Sequence, residues 1–359
     1  MSGRRVSEVG LLRLVALGLV APTTDDVAAV VRHLGAVQAQ DLPGALTSLA
    51  LRTASRSREA VTAACDAGAV VRSWPMRGTL HLVPAEDLGW MLPLGTPRPR
   101  AQAVRRRGEL GLVDADVDRA RELALATVPA TRAELFAAWE AAGLDPVKGR
   151  GYHLLAELAS TGVLCFGPLR DQGDAAERSS ARDGEPVIVD VARWIPSPRV
   201  LERDEALGEW ARRYFRSHGP ATRTDFARWT GIPMADVDTG IGLARPDLAS
   251  MDVDGTEHLL DPAVPDRLAA HRRAALGVHL LPGFDEFVLG YAERGHVLAP
   301  DELDRIVPGG NGVFRPTIVH RGRIVGTWTA PRGRLEVTPF GTLDARTEAA
   351  VARAHARLP

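Results

Sequence analysis

Lysine is almost missing from this chain. Its 44 lysine and arginine residues include a single lysine, Lys148, and 45 aspartates and glutamates bring the formal charge to −1. A reaction through an amine nucleophile would therefore have to use Lys148 or the terminal amine. Cysteine is scarce too. Cys65 and Cys165 stand far apart in apolar surroundings, with no CxxC pair and no histidine at ligand spacing. That argues against a disulfide framework and a zinc site, and both read as buried small hydrophobes. No apolar run approaches the ~18 residues that a membrane span needs. MSGRRVSEVGLLRLVALGLV superficially resembles a secretory signal, but Arg13 interrupts it and a helical pattern continues from it. The expectation is a soluble cytoplasmic protein with no membrane contact. The sequence also lacks a P-loop, an HExxH pair, a GxSxG elbow and a glycine-rich dinucleotide turn. No metal and no cofactor are expected.

What is present is length, apolar content and an internal repeat. At 359 residues and 45% hydrophobic, the chain has room for two or three domains. PTTDDVAAVVRHLG from Pro22, PATRAELFAAWEAAG from Pro129 and PATRTDFARWTGI from Pro220 share one design. In each, a threonine precedes an acid by three residues: Thr23 and Asp26, Thr131 and Glu134, Thr222 and Asp225. A hydroxyl capping the first turn, with an acid reaching back to the cap, is a helix start. Amphipathic segments at 11–20, 117–126 and 205–217 come before these starts. After each comes β-rich sequence: VVRSWPMRGTLHLV, then VLCFGP with PVIVDVARW, then LASMDVDGTEHLLDP, where Asp254-Gly255 signals a hairpin. Helices followed by a hairpin make a winged helix.

The fold class is accordingly α+β, with three tandem winged-helix domains and a small C-terminal β-barrel or sheet. Winged helices are expected over residues 1–95, 114–200 and 201–275, with an arginine-rich connector over 96–113. Residues 276–359 form the β-barrel region, with short β-branched strands and a closing helix from Leu343 to Arg357. The stretch from Gln172 to Glu185, rich in Ser, Arg, Asp and Gly, reads as a mobile wing tip.

Two features stand out for chemistry. Arg98, Arg100, Arg105, Arg106 and Arg107 share ten residues without an acid, which is either a solvated loop or a phosphate-contacting patch. Gln38 and Gln40 follow the second helix, between Gly35 and Asp41-Leu42-Pro43-Gly44. Residues two apart share a face only in extended or irregular backbone, so this pair is either an exposed polar turn or a site.

Several segments in order carry a resemblance: Gln38-Ala39-Gln40; Val70-Val71-Arg72-Ser73-Trp74; Met76-Arg77-Gly78-Thr79-Leu80-His81-Leu82; Leu281-Pro282-Gly283-Phe284-Asp285-Glu286-Phe287; Gly290-Tyr291 with Arg294; and Gly326-Thr327-Trp328. Over nearly its whole length the chain resembles the AlkZ-type winged-helix DNA glycosylases. The resemblance implies three winged helices scaffolding a C-terminal β-barrel, and a Gln-aliphatic-Gln motif in a concave DNA-binding cleft. Gln38 and Gln40 would be the catalytic pair. A related branch with aspartate at the second position is not matched, and Ala39 is smaller than the branched spacer such a motif leads one to expect.

The chemistry expected is monofunctional hydrolysis of the N-glycosidic bond of cationic alkylated purines. N7-alkylguanine heads the substrates, with N3-alkyladenine, bulky adducts and interstrand crosslinks behind it. A cationic base leaves without a general acid, and amide oxygens can hold the attacking water and face the oxocarbenium-like sugar. The partner is double-stranded DNA with alkylated bases, met by a monomer associated with the nucleoid. His81 reads either as a hydrogen-bonded structural residue or as part of the DNA site. Arg77 reads as a phosphate contact, a positioning residue or a surface salt bridge. Arg105, Arg106 and Arg107 are candidate DNA contacts, as are Arg321, Arg323, Arg332 and Arg334 flanking a C-terminal hairpin. Asp285 and Glu286 read either as an acid pair or, after Pro282-Gly283, as caps of a helix, the reading favoured, and Trp74, Trp139, Trp229 and Trp328 are expected to fill core or strand positions. The alternative, a non-catalytic winged-helix transcription regulator, is weakened by third helices such as HLLAELASTG, which offer few side chains to read base edges.

Overall fold

A computed structural model describes residues 6–170 and 185–359. The wing tip expected from Gln172 lies outside the described residues.

The first unit runs α1 (Glu8–Ala16), α2 (Val27–Leu34), β1 (Val37–Gln38), α3 (Leu42–Ala50), α4 (Arg58–Asp66), β2 (Val70–Met76) and β3 (Thr79–Pro84). Two helices follow, α5 (Leu88–Gly95) and α6 (Pro97–Glu109). The second unit has α7 (Asp114–Thr127), α8 (Arg132–Ala141), α9 (Arg150–Ser160), β4 (Leu164–Arg170), β5 (Glu185–Asp190) and the short α10 (Val191–Trp194). The third has α11 (Arg203–His218), α12 (Arg223–Thr230), α13 (Met234–Ala244), β6 (Ala249–Val253), β7 (Thr256–Leu260) and α14 (Val264–Ala275). The last region has β8 (Val278–Leu281), α15 (Glu286–Leu289), α16 (Leu303–Ile306), β9 (Thr317–His320), β10 (Arg323–Thr329), β11 (Glu336–Pro339) and α17 (Ala345–His355).

Local chemistry explains the element starts. Thr131 and Thr222 accept from the backbone N–H of Glu134 and Asp225, whose carboxylates bond back to the cap. The first start differs from expectation. Asp26, not Thr23, is the cap of α2, accepting from Ala29 N at 3.0 Å, while Thr24 Oγ1 takes the N–H of Asp26. An ionised carboxylate is at least as good a cap as a hydroxyl, and Asp26 stands where the helix begins. Asp254 and Gly255, both at positive φ, turn β6 into β7, as a two-residue hairpin loop requires.

The units interlock. β2 of the first unit pairs with β4 of the second, giving one five-stranded sheet in the order β1-β3-β2-β4-β5, while β6 and β7 form their own ribbon. Arg13 of α1 is fully buried, donates to Pro220 O at 3.0 Å and lies 3.6 Å over the Tyr291 ring. One apolar core joins α1–α4 to α14, β9 and β10, and a second joins β2 and β3 to α11 and α12. The C-terminal strands form an open antiparallel sheet, β11-β10-β9-β8. The barrel expected of this region is not closed: β8 and β11 are its two edges, and α17 covers one face through Val351 against Leu280, Ile318 and Val325. A helix meets the need to bury that face without strand closure.

Gly10 of α1 makes a second constraint visible. A Cβ there would stand 1.9 Å from Gly322 O, so only glycine lets α1 lie against the β9–β10 turn, where Ser7 N also donates to Arg321 O at 3.1 Å.

Candidate active site

Gln38 lies on an edge strand. β1 pairs with β3 so that Gln38 is opposite His81, and on the other side of β3 the residue opposite His81 is Ser73. Cross-strand partners share a face, so Gln38, His81 and Ser73 form one row. Gln38 is buried and Gln40 exposed. The Gln38 amide donates to Gln40 Oε1 at 2.6 Å, and Gln40 N donates to Gln38 Oε1 at 3.4 Å. Each amide oxygen accepts one bond in this arrangement and keeps a second lone pair.

The spacer holds the two amides in this extended pose. Ala39 is fully buried, its N–H donates to Leu80 O at 2.8 Å, and its carbonyl accepts Arg72 Nε at 2.9 Å. The Arg72 guanidinium lies 5.2 Å over the Phe166 ring, and burial brings it down to about 10. Small as its side chain is, Ala39 is held through its backbone, by Leu80 on one side and Arg72 on the other.

The residue for which sequence reasoning favoured capping is Glu286. Asp285 does cap α15, accepting from Phe287 N at 3.0 Å, and its carboxylate is forked by Arg52 at 2.9 and 3.0 Å and bound by Ser48 Oγ at 2.7 Å. Glu286 instead turns inward. Its Oε1 accepts the backbone N–H of Gln38 at 3.2 Å, and its Oε2 accepts Trp229 Nε1 at 2.9 Å and lies 3.3 Å from His218 Nε2. Burial works to raise the Glu286 carboxyl, but bonds and charge from His218, the Trp229 N–H and the Arg77 charge outweigh it and hold the acid at about 2. The signal in the sequence was the adjacent acid pair, where one cap needs only one carboxylate.

His81 and Arg77 continue the Gln38 row into the β2–β3 turn. Arg77 occupies the β2–β3 turn at φ 54° and points back, its Nη2 3.1 Å from His81 Nε2, while His81 Nδ1 is 2.9 Å from Thr79 O. Burial, with Arg77 adding repulsion, pushes the His81 imidazole down to about 3. A neutral ring with Nδ1–H donating to Thr79 and Nε2 accepting from Arg77 satisfies both contacts. A surface salt bridge for Arg77 is thereby replaced by a half-buried contact to His81.

The other candidate arginines scatter. The connector is the helix α6, not a loop, because its charges have partners at helical spacing and on α9. Arg105 and Arg106 pair with Glu109 at 3.2 and 3.0 Å; Arg107 pairs with Glu157, as does Arg100 at 2.6 Å. Arg105 nonetheless leaves 89% of its side chain exposed. Arg321 and Arg323 sit at one end of β10 and Arg332 and Arg334 at the other. Register decides which end is near the glutamines: Leu281 pairs with Thr317 and Thr317 with Thr327, and Leu281 leads through Gly283 to Glu286. Arg332 and Arg334, both exposed, share that end, with Arg334 3.1 Å from Glu336. Trp74, Trp139 and Trp229 are buried, and Trp328 is half-buried with its Nε1 donating to Leu281 O.

Among the described residues no cluster of histidine, cysteine or acids has the makings of a metal site, and no helix is long and apolar enough to cross a membrane.

Comparison with known proteins defines the class. Residues 31–359 match the family model described as DNA glycosylase AlkZ-like. The chain is 30% identical over 330 residues to the Interstrand DNA cross-link repair glycosylase of Streptomyces sahachiroi, covering 87% of this chain and 84% of that protein. The solved structure of Streptomyces sahachiroi DNA glycosylase AlkZ superposes with a TM-score of 0.75 at 28% identity, over 98% of this chain and 97% of that one. This protein is a DNA glycosylase, a hydrolase of N-glycosyl bonds, and DNA is its partner. It belongs to the AlkZ-like DNA glycosylase family. The transcription-regulator reading is not favoured by these matches.

Proposed function

We propose that Gln38 and Gln40 are the catalytic pair of a monofunctional glycosylase that removes cationic alkylated purines, N7-alkylguanine first among them. The single observation behind this is the amide pair itself: two glutamines bonded to each other at 2.6 Å, one buried and one exposed, on an edge strand tied to Glu286. Their spare lone pairs are suited to accept hydrogen bonds from both O–H groups of one water and to aim its oxygen at the sugar C1′; the C1′–N bond breaks as the cationic base departs as a neutral purine, the C1′–O bond forms, and the proton lost by the water passes to solvent. An amide is too weak a base to remove a proton at neutral pH. A base that already carries positive charge needs no general acid to leave, so orientation and electrostatic stabilisation of the oxocarbenium-like sugar carry the reaction.

In this reading the three helix-plus-hairpin units are winged helices that grip DNA backbone, with Arg77 and His81 positioning Gln38, and with Arg105, Arg332 and Arg334 offering exposed charge to phosphates. Arg106, Arg107, Arg321 and Arg323 complete the candidate contacts. The crosslink-repair name of the Streptomyces sahachiroi relative supports a site that also accepts bulky adducts and crosslinks. Lys148 lies exposed in the loop before α9, at φ 55°, far in sequence from the glutamines, which favours water as the nucleophile.

The test compares duplexes with one N7-methylguanine, one hypoxanthine and one undamaged guanine. Excision confined to the cationic base, with no covalent adduct trapped by borohydride, is expected. Release of hypoxanthine at a similar rate, or a trapped adduct, contradicts the reading.

A further inference from the structure

A cavity of about 200 Å³ lies at the far end of α3 from the glutamines, walled by Leu51, β8 and α17. Nine residues of α3 at ~1.5 Å each separate the two ends by roughly 14 Å. Three guanidinium side chains line the cavity, Arg56, Arg353 and Arg357, and none of the described lining residues is acidic. Elsewhere arginines such as Arg13, Arg52, Arg107 and Arg213 have acidic neighbours. Among the described residues these three have no ion pair and no side-chain hydrogen bond.

Among the described residues nothing offsets that charge. Burial and then the neighbouring Arg357 hold the Arg56 guanidinium below its ordinary value. Arg56 is also held at φ 55°, in the loop that follows α3. His279 forms part of the wall, and burial pushes it down to about 4, so it is neutral and adds no charge; among the described residues its buried Nε2 has no partner.

We propose that this cavity binds a phosphate group. Guanidinium forks match phosphate oxygens and are the usual recognition element for them. The apolar wall of Leu51, Leu280 and Leu358 backs the half-buried Arg56, while Arg353 and Arg357 stand exposed at the rim. The volume is below the ~300 to 1,000 Å³ of sites that enclose a whole small ligand. It suits the phosphate end of something larger, either a DNA backbone phosphate or a free phosphomonoester whose remainder stays outside. For DNA, roughly 14 Å corresponds to about four nucleotides along a strand, so the site would hold duplex away from the reacting base.

The experiment titrates inorganic phosphate, at constant ionic strength, into the wild-type chain and into Arg353→Gln/Arg357→Gln, two exposed positions that leave the core intact. Arg56→Gln is measured beside them. Calorimetry reads affinity, and the His279 ring resonances report occupancy. Phosphate is expected to bind the wild type and shift His279, and the double variant to bind it about tenfold or more weakly. Undamaged duplex and deoxyadenosine monophosphate then identify the source. If DNA backbone is the ligand, the double variant binds duplex more weakly, its log-affinity against log-salt slope falls by about 0.9 for each phosphate no longer neutralised, and phosphate competes with duplex. If a free phosphomonoester is the ligand, the monophosphate binds through the same arginines and duplex affinity is unchanged. Equal phosphate binding by wild type and both variants, or no His279 shift together with unchanged duplex affinity, overturns the proposal.

Discussion

The backbone N–H of Gln38 donates to Glu286 Oε1 at 3.2 Å across 248 positions of sequence. Glu286 Oε2 meanwhile takes the Trp229 N–H, so one buried carboxylate ties the edge strand of the first unit to α12 and α15. Glu286→Gln puts an amide N–H₂ where one of two acceptor oxygens stood. The side chain can then serve Gln38 or Trp229 but not both. Excision is expected to slow about tenfold to a hundredfold through a shifted glutamine pair, mainly in kcat, with duplex affinity retained. Single-turnover kinetics beside a binding titration check this.

Acid is expected to destabilise the fold before it protonates most surface acids. His81 at about 3 and His279 at about 4 sit below the ordinary imidazole value of 6.5. Below pH ~6.5 the unfolded chain binds protons that the native histidines refuse, so stability falls as pH drops from 6.5 toward 4, by up to about 1.4 kcal/mol per pH unit per group. Glu286, depressed to about 2 from 4.5, adds to the loss once pH falls below 4.5. Urea midpoints between pH 7.5 and 5 measure the slope, and His279→Gln is expected to flatten it. A midpoint that does not move over this range contradicts the burial of neutral imidazoles.

Local signals were the legible part of this chain. Thr131 and Thr222 announce their helices because a cap and its acid lie three residues apart, and Gln38 and Gln40 were found through an extended spacing and a family resemblance. What sequence did not reveal is pairing over distance. Nothing local says that Glu157 answers Arg100 and Arg107, 57 and 50 residues away, so a paired helix looked like a free basic segment. The same holds for Glu286 beneath Gln38, and for β2 joining β4. Short C-terminal strands could be anticipated from their β-branched residues and glycine turns, but whether their edges meet depends on what covers them, and α17 packs on the sheet instead.

Ala39 is fully buried and held through its backbone on both sides, so a larger spacer is expected to strain the site. Ala39→Ile adds three carbons to a fully buried position whose backbone is fixed at both ends, at an expected cost of ~1–3 kcal/mol and with slower excision. Urea unfolding and the excision assay read the two effects. An unchanged stability would mean that room for a branched spacer already exists.

Asp285→Asn tests the frame behind Glu286. The Arg52 guanidinium would keep its burial and lose its ionised partner, at an expected cost of about 3–5 kcal/mol and a clearly lower melting temperature. Arg52→Met together with Asp285→Asn should recover part of that loss. Calorimetric melting of wild type, the single variant and the double variant checks it, and a single variant as stable as wild type would show that this ion pair does not hold the loop.

The most direct measurement is release of a single N7-methylguanine from duplex DNA by wild type, Gln38→Ala and Gln40→Ala, with alkali used to reveal abasic sites and duplex affinity measured beside it. Strand cleavage after wild-type treatment, and its loss in both variants while DNA binding persists, is the expected result. Variants that excise at the wild-type rate would contradict the assignment of the chemistry to the glutamine pair.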